Sequence, residues 1–335
     1  MKSKSISLDF GLNDKLVFQK FSEKIICSPK NGEVKIAVEY TSINYRDFLA
    51  SQGNRGVVRK FPYTPGVDLV GRILESGALG YEVGAPVALF ALADGECYPG
   101  GWSTTCTVKA DRLIFLDDRW SLESVAAVGT AGLAAASAVD FVSRNGPKSS
   151  NQIKVCAVTG ATGGVGVLSC ILAKKAGFEV MAFVRNCSKA SVSKLYDLGV
   201  AKIIDLEYLL EGVQMSLGKQ EFDVAIDTLG GPIATALAKK LKIGGAMGVC
   251  GLVTGQDFPG LNLLPFLLRG ISMAGSGAEV INGDRMQRAL ELLKNLYNSE
   301  ELKSVYTVVP FDKVPSILSS YDELKPFGRI VIKVK

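Results

Sequence analysis

A chain of 335 residues, 47% hydrophobic and 21% charged, is too long for one small core and has the makeup of a globular protein with two ordinary domains. Its net charge of +5 is weak and scattered, which argues against nucleic acid as a partner and at most helps to attract a phosphorylated ligand. Histidine is absent; this removes the Ser-His-Asp and Cys-His mechanisms and every zinc site built on imidazole, leaving Tyr, Lys, Asp, Glu, Cys or water as a general acid.

The first residues carry Lys2 and Lys4 with no apolar run behind them, so no signal peptide is expected. Up to about residue 120, short strands alternate with turn signals. Val34 to Tyr40 alternates with period two, as a half-exposed strand does, and Val87 to Leu92 is more continuously apolar. Pro62, Pro65, Gly66, Gly71, Gly77, Gly80, Gly84 and Pro86 punctuate the region, and a β-rich, barrel-like domain follows from that.

The pattern changes near Ser121. Val125 to Val139 is rich in Ala and Gly and is ended by Asp140. It falls short of the roughly 20 apolar residues that span a bilayer, so a closely packed helix is expected and no membrane partner. From there to about Ser276, strands at Ile153–Val158, Glu179–Val184, Ala201–Asp205, Val224–Asp227 and Ala246–Cys250 alternate with helices, among them Val165–Lys175 and Lys189–Leu198. Such alternation implies βαβ units and a doubly wound parallel sheet. Gly328 to Val334 is again a strand and is expected to return to the first domain. The seven cysteines form no CxxC pair; Cys156, Cys170 and Cys250 read as small core residues, and a reducing, cytoplasmic compartment is expected.

One loop carries chemistry. Thr159-Gly160-Ala161-Thr162-Gly163-Gly164-Val165-Gly166 follows a strand and opens a helix, the context in which a glycine pattern signals dinucleotide binding. Such a turn lets the backbone approach a pyrophosphate at the exposed N–H groups of the helix start. NAD sites place an acid after the next strand to hold the ribose 2′-hydroxyl. Here no acid occurs between Val180 and Tyr196, and Arg185, Ser188 and Lys189 are placed to hold a 2′-phosphate instead. NADPH is the expected cofactor.

Six segments in order carry a resemblance: Ser42 to Asp47, Phe61 to Asp68, Gly129 to Gly132, the Gly160 loop, Ile226 to Gly231 and Leu264 to Arg269. On these the chain resembles the medium-chain dehydrogenase/reductase superfamily and, within it, the zinc-free YhdH/YhfP-type quinone oxidoreductases, which include acryloyl-CoA reductases. The resemblance implies an α/β protein with a GroES-like β-rich catalytic domain, residues 1–122 and 277–335, and a Rossmann cofactor domain, residues 123–276. It implies no metal. Zinc-dependent members carry a His after the glycine at Gly66, where this chain has Val67, and four closely spaced cysteines, where this chain has Cys97 and Cys106.

By the same resemblance Tyr45 lines the nicotinamide pocket, Thr130 stands near the nicotinamide, and Lys202 matches a basic position near the adenosine phosphate. Leu252 and Leu267 match apolar or backbone contacts to the cofactor, beside Gly160, Thr162, Gly163, Gly164 and Val165 of the loop. The family often reads Ser-Gly-Arg after the second strand, and here Val184-Arg185-Asn186 displaces the basic residue by one. A homodimer is implied as well.

The expected reaction is hydride transfer from NADPH to the activated C=C of a short enoyl-CoA such as acryloyl-CoA, with reduction of a quinone or free enone as the alternative. A reading of another class is a non-catalytic, NADPH-binding redox sensor. Tyr45 is the candidate donor to the substrate oxygen or the group for proton delivery, or else an aromatic wall. Asn44 either orients the substrate or caps the following helix. Asp68, if buried, needs a partner such as Arg46 or Lys60. The basic stretch Arg55 to Lys60 either meets the phosphates of an acyl-CoA or is a solvated loop.

Overall fold

Alternating apolar residues pair the first third of the chain into antiparallel sheet. The computed structural model describes residues 2–10, 16–25, 27–58, 61–91, 97–98, 100–148, 152–321 and 326–335. They fall into two compact units, Met1–Thr130 with Tyr306–Lys335, and Ala131–Val305.

In the first unit, β1 (Lys2–Phe10) and β2 (Leu16–Ile25) form an antiparallel pair. The main sheet contains β3 (Glu33–Ile43), β4 (Leu69–Ser76), β5 (Pro86–Leu89), β6 (Cys97–Tyr98), β7 (Thr105–Lys109) and β8 (Ile114–Phe115). β3 pairs on one part with β4 and on another with β7, and Val34, Ile36, Val38, Leu69, Ile73, Val87 and Val108 fill the core beneath. Leu92, the end of the apolar run read from sequence, lies outside the described residues. Helix α1 (Tyr45–Ser51) follows β3 after one residue, Asn44.

Helix α2 (Leu122–Asn145) has 24 residues, longer than the apolar run suggested, because it recruits polar residues at both ends. By length and composition it is able to cross a membrane, yet 83% of its apolar window is buried inside the protein. Gly129, at φ 48° and ψ −154°, breaks its helical course.

The second unit is a six-stranded sheet of β9 (Val155–Thr159), β10 (Glu179–Val184), β11 (Lys202–Asp205), β12 (Phe222–Asp227), β13 (Leu241–Val249) and β14 (Ser272–Gly275). Every pair is parallel, and the order β11-β10-β9-β12-β13-β14 is the doubly wound 3-2-1-4-5-6 arrangement. The helices between are α3 (Gly164–Lys175), α4 (Lys189–Asp197), α5 (Glu207–Leu210), α6 (Gly231–Lys240) and α7 (Leu264–Arg269). Phe183 and Phe222 meet edge to face at 5.6 Å in the core. The order reverses between β9 and β12, so the carboxyl ends of those strands frame the crevice where such sheets hold ligands.

After β14, helix α8 (Gly283–Lys294) stays with this unit: Arg288 donates to Asp140 at 3.0 Å and Arg285 to Ser137 at 3.1 Å, both on α2. By compactness the return to the first unit falls at residue 306, later than the 277 expected from the sequence pattern. There β15 (Tyr306–Pro310) pairs with β16 (Arg329–Lys333), and β16 lies antiparallel on β3.

Candidate functional site

In the second unit, β9 ends at Thr159 and the glycine loop turns the chain into α3. Gly160 stands at φ +57°, where a Cβ would overlap Thr228 Oγ1 and where side chains are disfavoured. Gly163 donates its N–H to Gly160 O at 2.9 Å. A Cβ on Gly166 would overlap Gly160 O, so the third glycine lets α3 settle onto the loop. No side chain caps α3, whose N-cap is Gly163. Thr162, Gly163, Gly164 and Val165 remain half-exposed. The outcome is a 12-residue helix with open N–H groups at the positive end of its dipole, a ready site for an anion such as a diphosphate.

β10 occupies the residues expected from sequence, Glu179–Val184, and Arg185, Ser188 and Lys189 leave it together, all exposed. Ser188 is the N-cap of α4, its Oγ accepting the Ser191 N–H at 3.1 Å, so its oxygen is already engaged. Lys202 is exposed at the start of β11. It pairs with Met181 in the register, whereas Asp205 pairs with Val184; Lys202 thus begins its strand about 10 Å behind the edge where Arg185 departs. Asp205, at that edge, caps the N–H of Glu207 at 2.9 Å. Leu252 lies just past the carboxyl end of β13 and Leu267 lies on α7, both exposed.

In the first unit, a polar cluster forms around Asp68, which is 0% exposed. Its partner is Arg329, the first residue of β16, 3% exposed and 3.3 Å away; Lys60 lies outside the described residues. The guanidinium also donates to Ile43 O at 3.1 Å, Asn44 Oδ1 at 3.1 Å, Ser42 Oγ at 2.8 Å and Ala127 O at 3.0 Å. Burial pushes Arg329 below its usual value against the opposing pull of Asp68. Asp68 further accepts from Ser42 Oγ, Asn44 Nδ2 at 2.8 Å, Thr130 N at 2.8 Å and Thr130 Oγ1. Gly129 belongs to the same construction, since a Cβ there would overlap Asp68 Oδ2.

Two sequence candidates are absorbed by this cluster. The Asn44 amide donates to Ser42 and Asp68 and accepts from Arg329. The Thr130 hydroxyl donates to Asp68 and accepts the Ala91 N–H at 2.7 Å. Tyr45, the first residue of α1, is left 42% exposed. Beneath it Asp47 accepts the N–H of Asn44 at 2.9 Å and of Gly66 at 2.8 Å. Burial, reinforced by the charge of Asp68 and opposed by those N–H groups, leaves the Asp47 carboxyl pushed up to about 6. The basic stretch is described only in part: Arg55 lies 5.2 Å over the Phe61 ring, and Arg59 and Lys60 are outside the described residues.

Arg329, Ser42 and Asp47 were missed as members of this arrangement. One signal was available: Arg329 opens a strand whose next three residues, Ile330, Val331 and Ile332, are buried. A charge in such a strand must find a buried partner.

Two family descriptions match the chain, the alcohol dehydrogenase GroES-like domain over residues 30–118 and the zinc-binding dehydrogenase over residues 164–295. A putative quinone oxidoreductase, YhfP of Bacillus subtilis, is 31% identical over 91% of each chain. Acrylyl-CoA reductase AcuI of Ruegeria pomeroyi is 30% identical over 90% of each. Among solved structures, the yhdH oxidoreductase of Salmonella enterica in complex with NADP superposes with a TM-score of 0.87 at 26% identity, covering 99% of this chain and 100% of that one. B. subtilis yhfP with NAD bound superposes with a TM-score of 0.87 at 28% identity over 100% of both.

Proposed function

Because the chain belongs to the medium-chain dehydrogenase/reductase family, among its YhdH- and YhfP-type quinone oxidoreductases, we propose that it is a zinc-independent, NADPH-dependent reductase that saturates the C=C bond of a short enoyl-CoA such as acryloyl-CoA. The observation that carries the reading is the uncapped start of α3 behind Gly160, an anion site with no side chain of its own to fill it. Arg185 and Lys189, beside it in the fold at the exit of β10, favour the cofactor that carries a 2′-phosphate. The relative that acts on acrylyl-CoA supports the substrate; the relative named a quinone oxidoreductase supports the second reading, a quinone or enone as acceptor.

Zinc does not fit this chain. It has no histidine, and among the described residues no three Cys, Asp or Glu side chains gather. Asp68, the acid nearest Val67, spends its oxygens on Arg329, Ser42, Asn44 and Thr130.

Bound NADPH supplies a hydride for the β-carbon of the alkene. The developing charge then rests on the substrate's own carbonyl oxygen, and the protein's task is to present a hydrogen-bond donor to it. Tyr45 is that donor. Its place is set by the chain on either side: Ile43 O is held by Arg329, and the start of α1 by Asp47. Asn44 and Thr130 act inside the protein, orienting this segment, and the proton that completes saturation at the α-carbon is delivered from solvent water. The protein works as a cytoplasmic homodimer in this account.

The test is one panel of purified protein with NADPH or NADH and acryloyl-CoA, crotonyl-CoA, a free enone and a quinone. Oxidation of NADPH, fastest with acryloyl-CoA, is expected; tight NADPH binding with no oxidation by any acceptor would leave the redox-sensor reading standing instead. Preference for NADH would overturn the assignment of Arg185 and Lys189. Tyr45→Phe should lower kcat by about 100-fold, the scale of one lost oxyanion donor, and an unchanged kcat would reduce Tyr45 to a wall.

A further inference from the structure

Asp227 ends β12 at the carboxyl edge of the sheet and is 0% exposed. Among the described residues no lysine or arginine pairs with it. Its oxygens accept instead from Thr159 Oγ1 at 2.7 Å, from Gly230 N at 2.8 Å and from Leu229 N at 3.3 Å. A buried carboxylate without a counter-charge is costly, and joining two parallel strands does not require one. The hydrogen bonds it makes lead elsewhere.

Thr159, which Asp227 holds, is the residue before Gly160. With its hydroxyl proton given to Asp227, the Thr159 oxygen accepts the Thr228 N–H at 2.9 Å. The Thr228 hydroxyl in turn donates to Thr159 O at 2.8 Å. That carbonyl belongs to the peptide unit linking Thr159 to Gly160, so its plane is pinned from the side of β12. Thr228 Oγ1 also fills the space that a Cβ on Gly160 would need. The φ of +57° at Gly160, and with it the direction of the N–H groups that follow, is therefore set by a chain of contacts that begins at Asp227.

We propose that Asp227 is the positioning residue of the dinucleotide loop: through Thr159 and Thr228 it holds Gly160 in the conformation that binds the NADPH diphosphate, without touching the cofactor itself. The inference rests on the reading of this loop as the NADPH site. All of the acceptor capacity that Asp227 shows is spent on protein donors, which is why its effect reaches the ligand only through the loop. Burial pushes its carboxyl above the usual range against those three hydrogen bonds, as expected of a charge kept for its geometry.

Fluorescence titration of the full chain with NADPH tests this without turnover. Asp227→Asn places an amide N–H against a donor, and Thr159→Val removes the hydroxyl while keeping the shape. Each should raise Kd at least tenfold. Because they break one chain of contacts, the double variant should be no more than threefold worse than the poorer single. Thr159→Ser, which keeps the hydroxyl, should return Kd to within twofold of the parent. In steady-state assays the loss should appear in KM for NADPH rather than in kcat. Should Asp227→Asn fail to fold, Thr159→Val and Thr159→Ser decide alone. A lowered Tm with Kd within twofold of the parent, or losses that add fully in the double variant, would overturn the proposal while leaving the cofactor reading intact. A parent protein that binds no NADPH would bring down both.

Discussion

The turn from β3 into α1 and the turn from β9 into α3 treat the helix start in opposite ways. After β3, the single residue Asn44 leads into α1, and Asp47 closes the turn by accepting the Asn44 N–H. The side chains around it are spent on one another, from Asn44 through Ser42 to Asp68 and Arg329. After β9, glycines lead into α3 and nothing closes it. Helix starts carry the same unpaired N–H groups in both places. Where the sequence supplies a carboxylate the start becomes a rigid mount for its neighbour, Tyr45; where it supplies glycine the start stays open to a ligand's charge. The first region holds its shape with side chains, the second with backbone and with a brace from below.

That contrast makes separable predictions. The largest effect belongs to Arg329. Arg329→Met strands the Asp68 carboxylate in the interior and should cost about 3–5 kcal/mol, read as a fall in the urea midpoint. NADPH binding measured on the folded fraction should be unchanged, and an equal loss of affinity would show that the two regions are not independent.

Asp47 comes next. A carboxyl pushed up from 3.8 to about 6 binds its proton more tightly folded than unfolded. Stability from this group is full below about pH 4 and is lost as pH rises through about 6, amounting to about 3 kcal/mol. Asp47→Asn cannot ionise, so the gap in stability between parent and variant should change by that amount between pH 4 and 7. A constant gap across the window would refute the buried, raised carboxyl, and with it the mount under Tyr45.

The smallest effect on stability belongs to the loop. Gly166→Ala drives a Cβ into Gly160 O and must lift α3 from the loop, a strain of about 1–3 kcal/mol. NADPH affinity should drop about tenfold or more, with the pH dependence of stability unaltered. Full affinity in this variant would mean that the loop tolerates a shift of α3, contrary to the role given to its third glycine.

Much of the second region is legible in the sequence because its signals are local. The strand Glu179–Val184 is found on the residues its apolar run marks, and α3 begins one residue before the start read from periodicity. Glycine spacing, strand and helix lie side by side in the chain, and propensity and patterning act over just that range. The first region is different. Arg329 meets Ile43 across 286 positions, and no window of sequence contains both. Asn44 and Thr130 stand out as polar residues in the motifs, but whether a side chain faces a ligand or a buried partner depends on which charges fold in beside it.

The amino-acid order by itself determined the alternation of strands and helices in the second unit, the open glycine turn, the basic exit of β10 and the exclusion of imidazole chemistry. Each of these is a property of residue type and short spacing. Only the tertiary structure decided that Asp68 pairs with Arg329, that Lys202 stands behind the edge where Arg185 emerges, that α8 stays with the second unit, and that Asp227 braces the loop from below. The physical reason is common to all four. Burial makes an unpaired charge or donor costly, and the partner that relieves the cost is chosen by proximity in space, which the order of residues does not display.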